Sequence, residues 1–191
     1  MCLAFKKHID KFTQLDNASF EVVMSFFEVT KVQKKEHLLR SGTVCQYQYF
    51  VVDGCLRKYF IKENGLEQTT EFALENWWIS DTFAFERHES SSFNIQAVEA
   101  ATVLRISYTQ REALVLEHPC MEHYFRMVYQ RAYAAAERRI AYLYEWSREE
   151  LYLHFVSQYP EFVQRIPQYL LASFLGFTPE YLSEIRNKHR S

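Results

Sequence analysis

Glycine and proline are scarce, four of each in 191 residues. So few breaks exclude a flexible linker and leave regular elements joined by short turns. The cysteines, Cys2, Cys45, Cys55 and Cys120, stand far apart with no CxxC pair, which favours free thiols over a disulfide frame, a zinc site or an iron–sulfur cluster. No apolar run approaches the roughly 20 residues of a membrane span, and residues 1–10, with Lys6 and Lys7, hold no signal-peptide core. A cytoplasmic protein with no membrane partner is expected. Positive charge is not in excess: the net charge is −2 at pH 7, which excludes coating nucleic acid by bulk electrostatics but leaves room for a local basic site. Catalytic signatures are missing as well. There is no GxSxG, P-loop or GxGxxG, and the seven scattered histidines form no HxH pair of the kind a metal-binding roll needs. No catalytic residue, metal ligand or cofactor is expected.

What is present is apolar and aromatic, 48% and 17% of the chain, enough for a real core. Residues 5–27 read as short helices, with Phe12, Leu15, Phe20, Val23 and Phe27 at helical spacing. From about residue 31 to 107 the pattern changes to short β-runs. Asp53-Gly54 separates Tyr49-Phe50-Val51-Val52 from residues 55–61, and Asn64-Gly65 ends that second run. Both dipeptides supply the positive φ of two-residue hairpin turns. Residues 93–98 and 101–106 add strands, so an antiparallel barrel or roll is expected. Trp77 and Trp78, being adjacent in a strand, point to opposite faces. Core packing accounts for either ring; the alternative is a flat or aromatic effector held by one of them.

Ser107 with Gln110 and Ser147 with Glu150 are capping boxes that open helices. Between them nothing breaks helix over residues 121–146, a rod of roughly 36 Å at 1.5 Å per residue. Its Tyr124, Val128, Arg131, Ala135, Arg138/Arg139 and Tyr142 form a stripe near heptad spacing, and Ala132, Ala134, Ala135 and Ala136 thin one face. A homodimer seam is expected there.

Residues 160–191 read as a helix-turn-helix. Ala172 is small where helices must cross, Gly176 ends one helix, Thr178 caps the next and Pro179 opens it. Leu171, Leu175, Leu182 and Ile185 close a small core, leaving the other face of the second helix for a DNA major groove. The charge here is nearly balanced, Arg165, Arg186, Lys188 and Arg190 against Glu161, Glu180 and Glu184.

Tyr49-Phe50-Val51-Val52-Asp53-Gly54, Leu104-Arg105-Ile106-Ser107, His118-Pro119 and the helix-turn-helix, in that order, resemble the Crp/Fnr family of bacterial transcription regulators over almost the whole chain. Arg165-Ile166-Pro167-Gln168-Tyr169 and Leu175-Gly176-Phe177-Thr178-Pro179-Glu180-Tyr181-Leu182-Ser183 resemble the branch common in Bacteroidetes-type bacteria. The resemblance implies an α+β protein. Residues 1–118 would form a cyclic-nucleotide-binding-like sensor domain, a double-stranded β-helix. Residues 119–146 would be the dimerisation helix, and 147–191 a winged-helix-like DNA reader. With the chain ending at Arg190-Ser191, a wing after the recognition helix is expected to be missing.

The departures from the family bear on the effector. Cyclic-AMP-binding members grip the ribose with a Gly-Glu pair and the phosphate with an Arg-Ser pair ten residues on. Here those places fall on Ser80-Asp81 and Ser91-Ser92, so the phosphate-neutralising arginine is a serine. The polar pair that meets adenine falls on Ala136 and Glu137. An effector of unknown identity, other than cyclic AMP, is expected. In the recognition helix the family arrangement assigns base and phosphate contacts to Thr178, Pro179, Glu180, Tyr181, Ser183, Glu184, Arg186 and Lys188. Glu184 stands where relatives carry an arginine, so altered or weakened reading of double-stranded DNA is expected. The rival expectation is a ligand- or protein-binding scaffold whose helix-turn-helix no longer binds DNA.

Overall fold

The computed structural model describes residues 3–189, so Cys2, Arg190 and the expectations placed on them lie outside the described residues. The elements run α1 (Leu3–Ile9), α2 (Asn17–Met24), β1 (Glu28–Val32), β2 (His37–Leu39), β3 (Tyr47–Asp53), β4 (Leu56–Ile61), β5 (Glu67–Ala73), β6 (Trp78–Ile79), α3 (Thr82–Arg87), β7 (Asn94–Ala97), β8 (Ala101–Ser107), α4 (Tyr108–Glu117), α5 (Cys120–Glu145), α6 (Arg148–Gln158), α7 (Pro160–Arg165), α8 (Gln168–Leu175) and α9 (Pro179–Lys188). They group into two compact units. One holds the residues up to Phe60 with Glu71–Gln130; the other holds Ile61–Thr70 with the residues from Arg131 on. The division falls inside α5, whereas the sequence pattern kept residues 119–146 as a segment of their own.

In the first unit the strands form two antiparallel sheets, ordered β1-β8-β3-β6 and β2-β7-β4-β5. The chain passes repeatedly between them, which makes the expected roll. One turn differs from its reading. β3 and β4 lie in different sheets, so Asp53-Gly54 is a corner and not a hairpin. Gly54 sits at φ +95, and a Cβ there would come within 2.6 Å of Ala100 O and Ala101 Cβ. A dipeptide that supplies positive φ specifies a bend; it does not specify which strand the chain pairs with next. Asn64-Gly65 does close a hairpin, with Lys62 N–H donating to Leu66 O at 2.9 Å.

Strand periodicity splits the apolar residues between two cores. Tyr49, Val51, Leu56, Ile79, Ile95, Ala101 and Val103 fill the roll interior. Phe50, Leu104 and Ile106 point the other way, onto Phe5, Phe20, Leu114, Met121 and Tyr124 of the flanking helices. Burial on both faces explains why β3 reads as a continuous apolar run.

Both capping boxes form, Ser107 with Gln110 and Ser147 with Glu150. In the second unit α8 ends at Gly176 with φ +78, and Thr178 Oγ1 accepts from Tyr181 N–H at 3.2 Å to start α9 at Pro179. Leu171, Ala172, Leu175, Leu182 and Ile185 are all buried.

Candidate effector pocket and nucleic-acid interface

Ser80 and Asp81 follow directly on β6, and Ser91 precedes β7. The structure brings all three together. Ser91 Oγ donates to Asp81 Oδ2 at 2.7 Å and accepts from Phe93 N–H at 2.9 Å. The other Asp81 oxygen accepts from Ala84 N–H and caps α3. Ser80 Oγ donates to Tyr47 O at 3.1 Å. Beside Ser80 lies Cys45, whose thiol is pushed up by burial. Asp81 and Ser91 are both at least nine-tenths buried, so an anion brought to this place meets a carboxylate that is already satisfied. Ser92 is exposed and joins none of this.

Lys58 was not singled out from the sequence. Its Nζ donates to Ser80 O at 3.0 Å, pairs with Glu71 at 2.6 Å and lies 5.6 Å from the Phe93 ring centre. The signal was available: Lys58 shares a strand face with Leu56, which packs in the interior, and it pairs in register with Ile95, which does too.

The two tryptophans lie in different surroundings. Trp77 is 54% exposed. Trp78 packs among Phe5, Phe50 and Phe125, on the helix side of its sheet, and its indole N–H donates to Tyr124 Oη at 2.9 Å. Ile79, its neighbour, takes the inward place. Ala136 and Glu137 are exposed on α5 beyond Gln130 and group with the second unit.

On α5 the expected seam needs correction at its start. Tyr124 is completely buried in the helix-side core, where desolvation pushes its hydroxyl pKa up, so it has no surface to offer a partner. Val128 packs against the same core. Tyr142 lies stacked on Trp146 at 4.1 Å, with His154 edge-on at 5.2 Å. Arg131 and Ala135 are exposed. The exposed apolar side chains are instead Tyr133, Ile140, Leu143 and Tyr144, a stripe rotated from the expected one. Heptad counting placed Tyr124 on the stripe because an apolar residue at that spacing fits a seam and a core equally well.

On α9, Glu180, Ser183, Glu184 and Asn187 are exposed at i, i+3, i+4 and i+7 and so share one face. Thr178 is committed to its cap and Pro179 to the first turn. Tyr181 is half-buried, edge-on to Phe177 at 5.5 Å with the Arg148 guanidinium 5.8 Å from its ring centre. Arg186 is half-buried. Lys188 is drawn aside to Glu149, with Nζ 2.8 and 2.9 Å from the two carboxylate oxygens, and His189 joins them at 2.6 Å. Hydrogen bonds from Lys188 and then His189 hold the Glu149 carboxyl below its ordinary range.

Comparison with known proteins places these features. Residues 29–118 match the family described as cyclic nucleotide-binding domain. Over 198 residues the chain is 26% identical to the regulatory protein HlyX of Actinobacillus pleuropneumoniae, covering 97% of this chain and 78% of that one. A solved CooA mutant from Carboxydothermus hydrogenoformans matches with a TM-score of 0.70 and 19% identity, over 94% of this chain and 86% of that one. FixK2 from Bradyrhizobium japonicum matches with a TM-score of 0.69 and 17% identity, over 85% and 83%. No helix among the described residues is long and apolar enough to cross a membrane. The protein thus has the fold of these solved structures, an antiparallel roll that matches the cyclic nucleotide-binding domain over residues 29–118, with C-terminal helices after it.

Proposed function

We propose that the chain is a non-catalytic, cytoplasmic transcription regulator of the Crp/Fnr family, of the branch common in Bacteroidetes-type bacteria, that reads double-stranded DNA as a homodimer. The observation that carries this is the α8–α9 pair: Gly176, Thr178 and Pro179 fix the turn, buried leucines lock the helices, and one polar face of α9 stays open. That is the arrangement a recognition helix requires. Glu180 accepts a hydrogen bond from a cytosine amino group, Ser183 and Asn187 lie along the same groove, and Arg186 and Lys188 approach phosphate. The dimer forms through Tyr133, Ile140, Leu143 and Tyr144 rather than through the buried Tyr124. Replacing Ile140 with Glu should convert a two-chain mass to a one-chain mass by light scattering.

The effector is not cyclic AMP. The place of its phosphate is occupied by the Asp81–Ser91 hydrogen bond, and the nearby Lys58 is already neutralised by Glu71. Calorimetry should detect no cyclic AMP or cyclic GMP binding below millimolar concentration; micromolar affinity would show that Lys58 leaves Glu71 for the phosphate.

Selection of duplexes from a random pool at low salt tests DNA reading. The wild-type chain should retain a specific half-site, and Glu184→Arg should tighten binding to a guanine-containing one by about 1–3 kcal/mol. One observation favours the scaffold rival: the open face of α9 carries Glu180 and Glu184 while Lys188 is paired within the chain. If neither protein retains any duplex, that rival stands.

A further inference from the structure

The tip of the β4–β5 hairpin, Ile61–Thr70, belongs to the second unit, and its contacts there converge on two residues of α8. Thr69 N–H donates to Ser173 Oγ at 2.9 Å, and that hydroxyl donates to Glu67 O at 2.7 Å. Gln68 Nε2 donates to Ser173 O. Arg139 of α5 completes the set. One guanidinium nitrogen donates to Thr70 O and the other to Phe174 O at 2.8 Å, while the guanidinium carbon lies 3.8 Å from the Phe174 ring centre.

These contacts serve a need that α8 has on its own. The last carbonyls of a helix lack partners within it, and the negative end of the helix dipole gathers there. Phe174 O is one of those carbonyls, and Arg139 meets it with a hydrogen bond and a positive charge. Two residues further on, Gly176 turns the chain into α9. Whatever fixes the C-terminal end of α8 therefore fixes the start of α9. The clamp leaves Glu180, Ser183, Glu184 and Asn187 open to solvent, so it is compatible with a bound duplex. A lysine in place of Arg139 keeps the charge but lacks the planar fork that reaches both carbonyls and stacks on the ring.

We propose that Arg139 and Ser173 are positioning residues for DNA recognition: they dock the end of α8 onto the β4–β5 tip and so set the direction in which α9 is presented. The proposal rests on the DNA reading above.

The test uses the full chain with Arg139→Ala, Arg139→Lys, Ser173→Ala and Ser173→Thr. Two quantities are read: hydrogen exchange at the Thr69 amide, and affinity for a duplex selected by the wild type. Exchange should accelerate in Ser173→Ala and Arg139→Ala and recover in Ser173→Thr, which keeps the hydroxyl. Duplex affinity should fall about tenfold in Arg139→Ala, less in Arg139→Lys and Ser173→Ala, since the lost contacts are a few hydrogen bonds and one stacked cation. Should Arg139→Ala fail to fold, Ser173→Ala, which deletes a single oxygen, decides. Unchanged Thr69 exchange overturns the clamp. Accelerated exchange with wild-type affinity overturns the positioning role. A wild type that keeps no duplex overturns DNA reading instead, and exchange alone then decides whether the clamp exists.

Discussion

Asp81, Lys58 and Arg111 of the first unit meet polar partners, whereas the open face of α9 and the apolar side chains on the far half of α5 meet solvent. Asp81 is satisfied by Ser91 and Ala84, Lys58 by Glu71 and Ser80, and Arg111 by both oxygens of Glu86. Burial alone would lower the pKa of Arg111, but the contacts with Glu86, Tyr129 and Glu112 together push it up. In the second unit Tyr133, Ile140, Leu143 and Tyr144 lie exposed on one stretch of helix, and Glu180, Ser183, Glu184 and Asn187 on another. Exposed apolar surface gathered on one element marks an interaction site. The difference is one of arrangement: Asp81, Lys58 and Arg111 are held by partners within the first unit, whereas the polar face of α9 and the apolar stretch of α5 lie open.

The largest effect should come from the roll's helix-side core. Phe50→Ala removes a ring packed 4.8 Å from Phe5 and 5.5 Å from Trp78, and denaturant unfolding should show a loss of about 3–5 kcal/mol. The two corner glycines sharpen the contrast. Gly54→Ala should cost about 2–5 kcal/mol, because strained backbone and overpacking against Ala100 and Ala101 add. Gly176→Ala should cost about 1–2 kcal/mol, because its Cβ would meet nothing within 4 Å and only the left-handed backbone is penalised. Equal losses in thermal melts of the two variants would break the comparison. Next, Ser91→Ala leaves a buried oxygen of Asp81 without its donor and should cost about 1–3 kcal/mol while leaving duplex affinity as it was.

The smallest effect lies at the exposed Glu149. Glu149→Gln should free Lys188 for phosphate and tighten DNA binding about two- to threefold, most visibly at low salt. The pH dependence has a definite sign. Because the folded Glu149 pKa is depressed, its pairing is fully present above the unfolded carboxylate value and is lost as pH falls through the folded one. A binding titration should therefore show wild type and Glu149→Gln converging as that carboxylate protonates.

How much of this was legible depended on the range of the signal. The α8–α9 turn rests on neighbours in sequence, Gly176, Thr178 and Pro179, and was read correctly down to the cap. The Ser80-Asp81 and Ser91 places were found by counting along the chain. That Ser91 would hydrogen-bond to Asp81 follows only once the segments after β6 and before β7 are folded against each other. Asp53-Gly54 showed its bend but not its destination, since period-2 alternation carries no label for the sheet a strand will join. Tyr124 was misplaced for the same reason, and Trp78 was read as packed without its partners: an apolar residue announces burial without naming the surface that buries it. Arg139 was counted in a seam because its real partners, Thr70 and Phe174, lie 69 and 35 residues away.

The shuttling of consecutive strands between the two sheets has a consequence in time. β1 can find its neighbour only when β8 exists, and Glu28 and Arg105, which pair across that seam, are 77 residues apart. Closing so long a loop must precede any reward from the pairing, so the roll should fold slowly and all at once. At a synthesis rate of about 5–20 residues per second, β1 waits several seconds with an open edge before β8 emerges to cover it. That interval, rather than the finished protein, is when this chain is most exposed to pairing with a wrong strand.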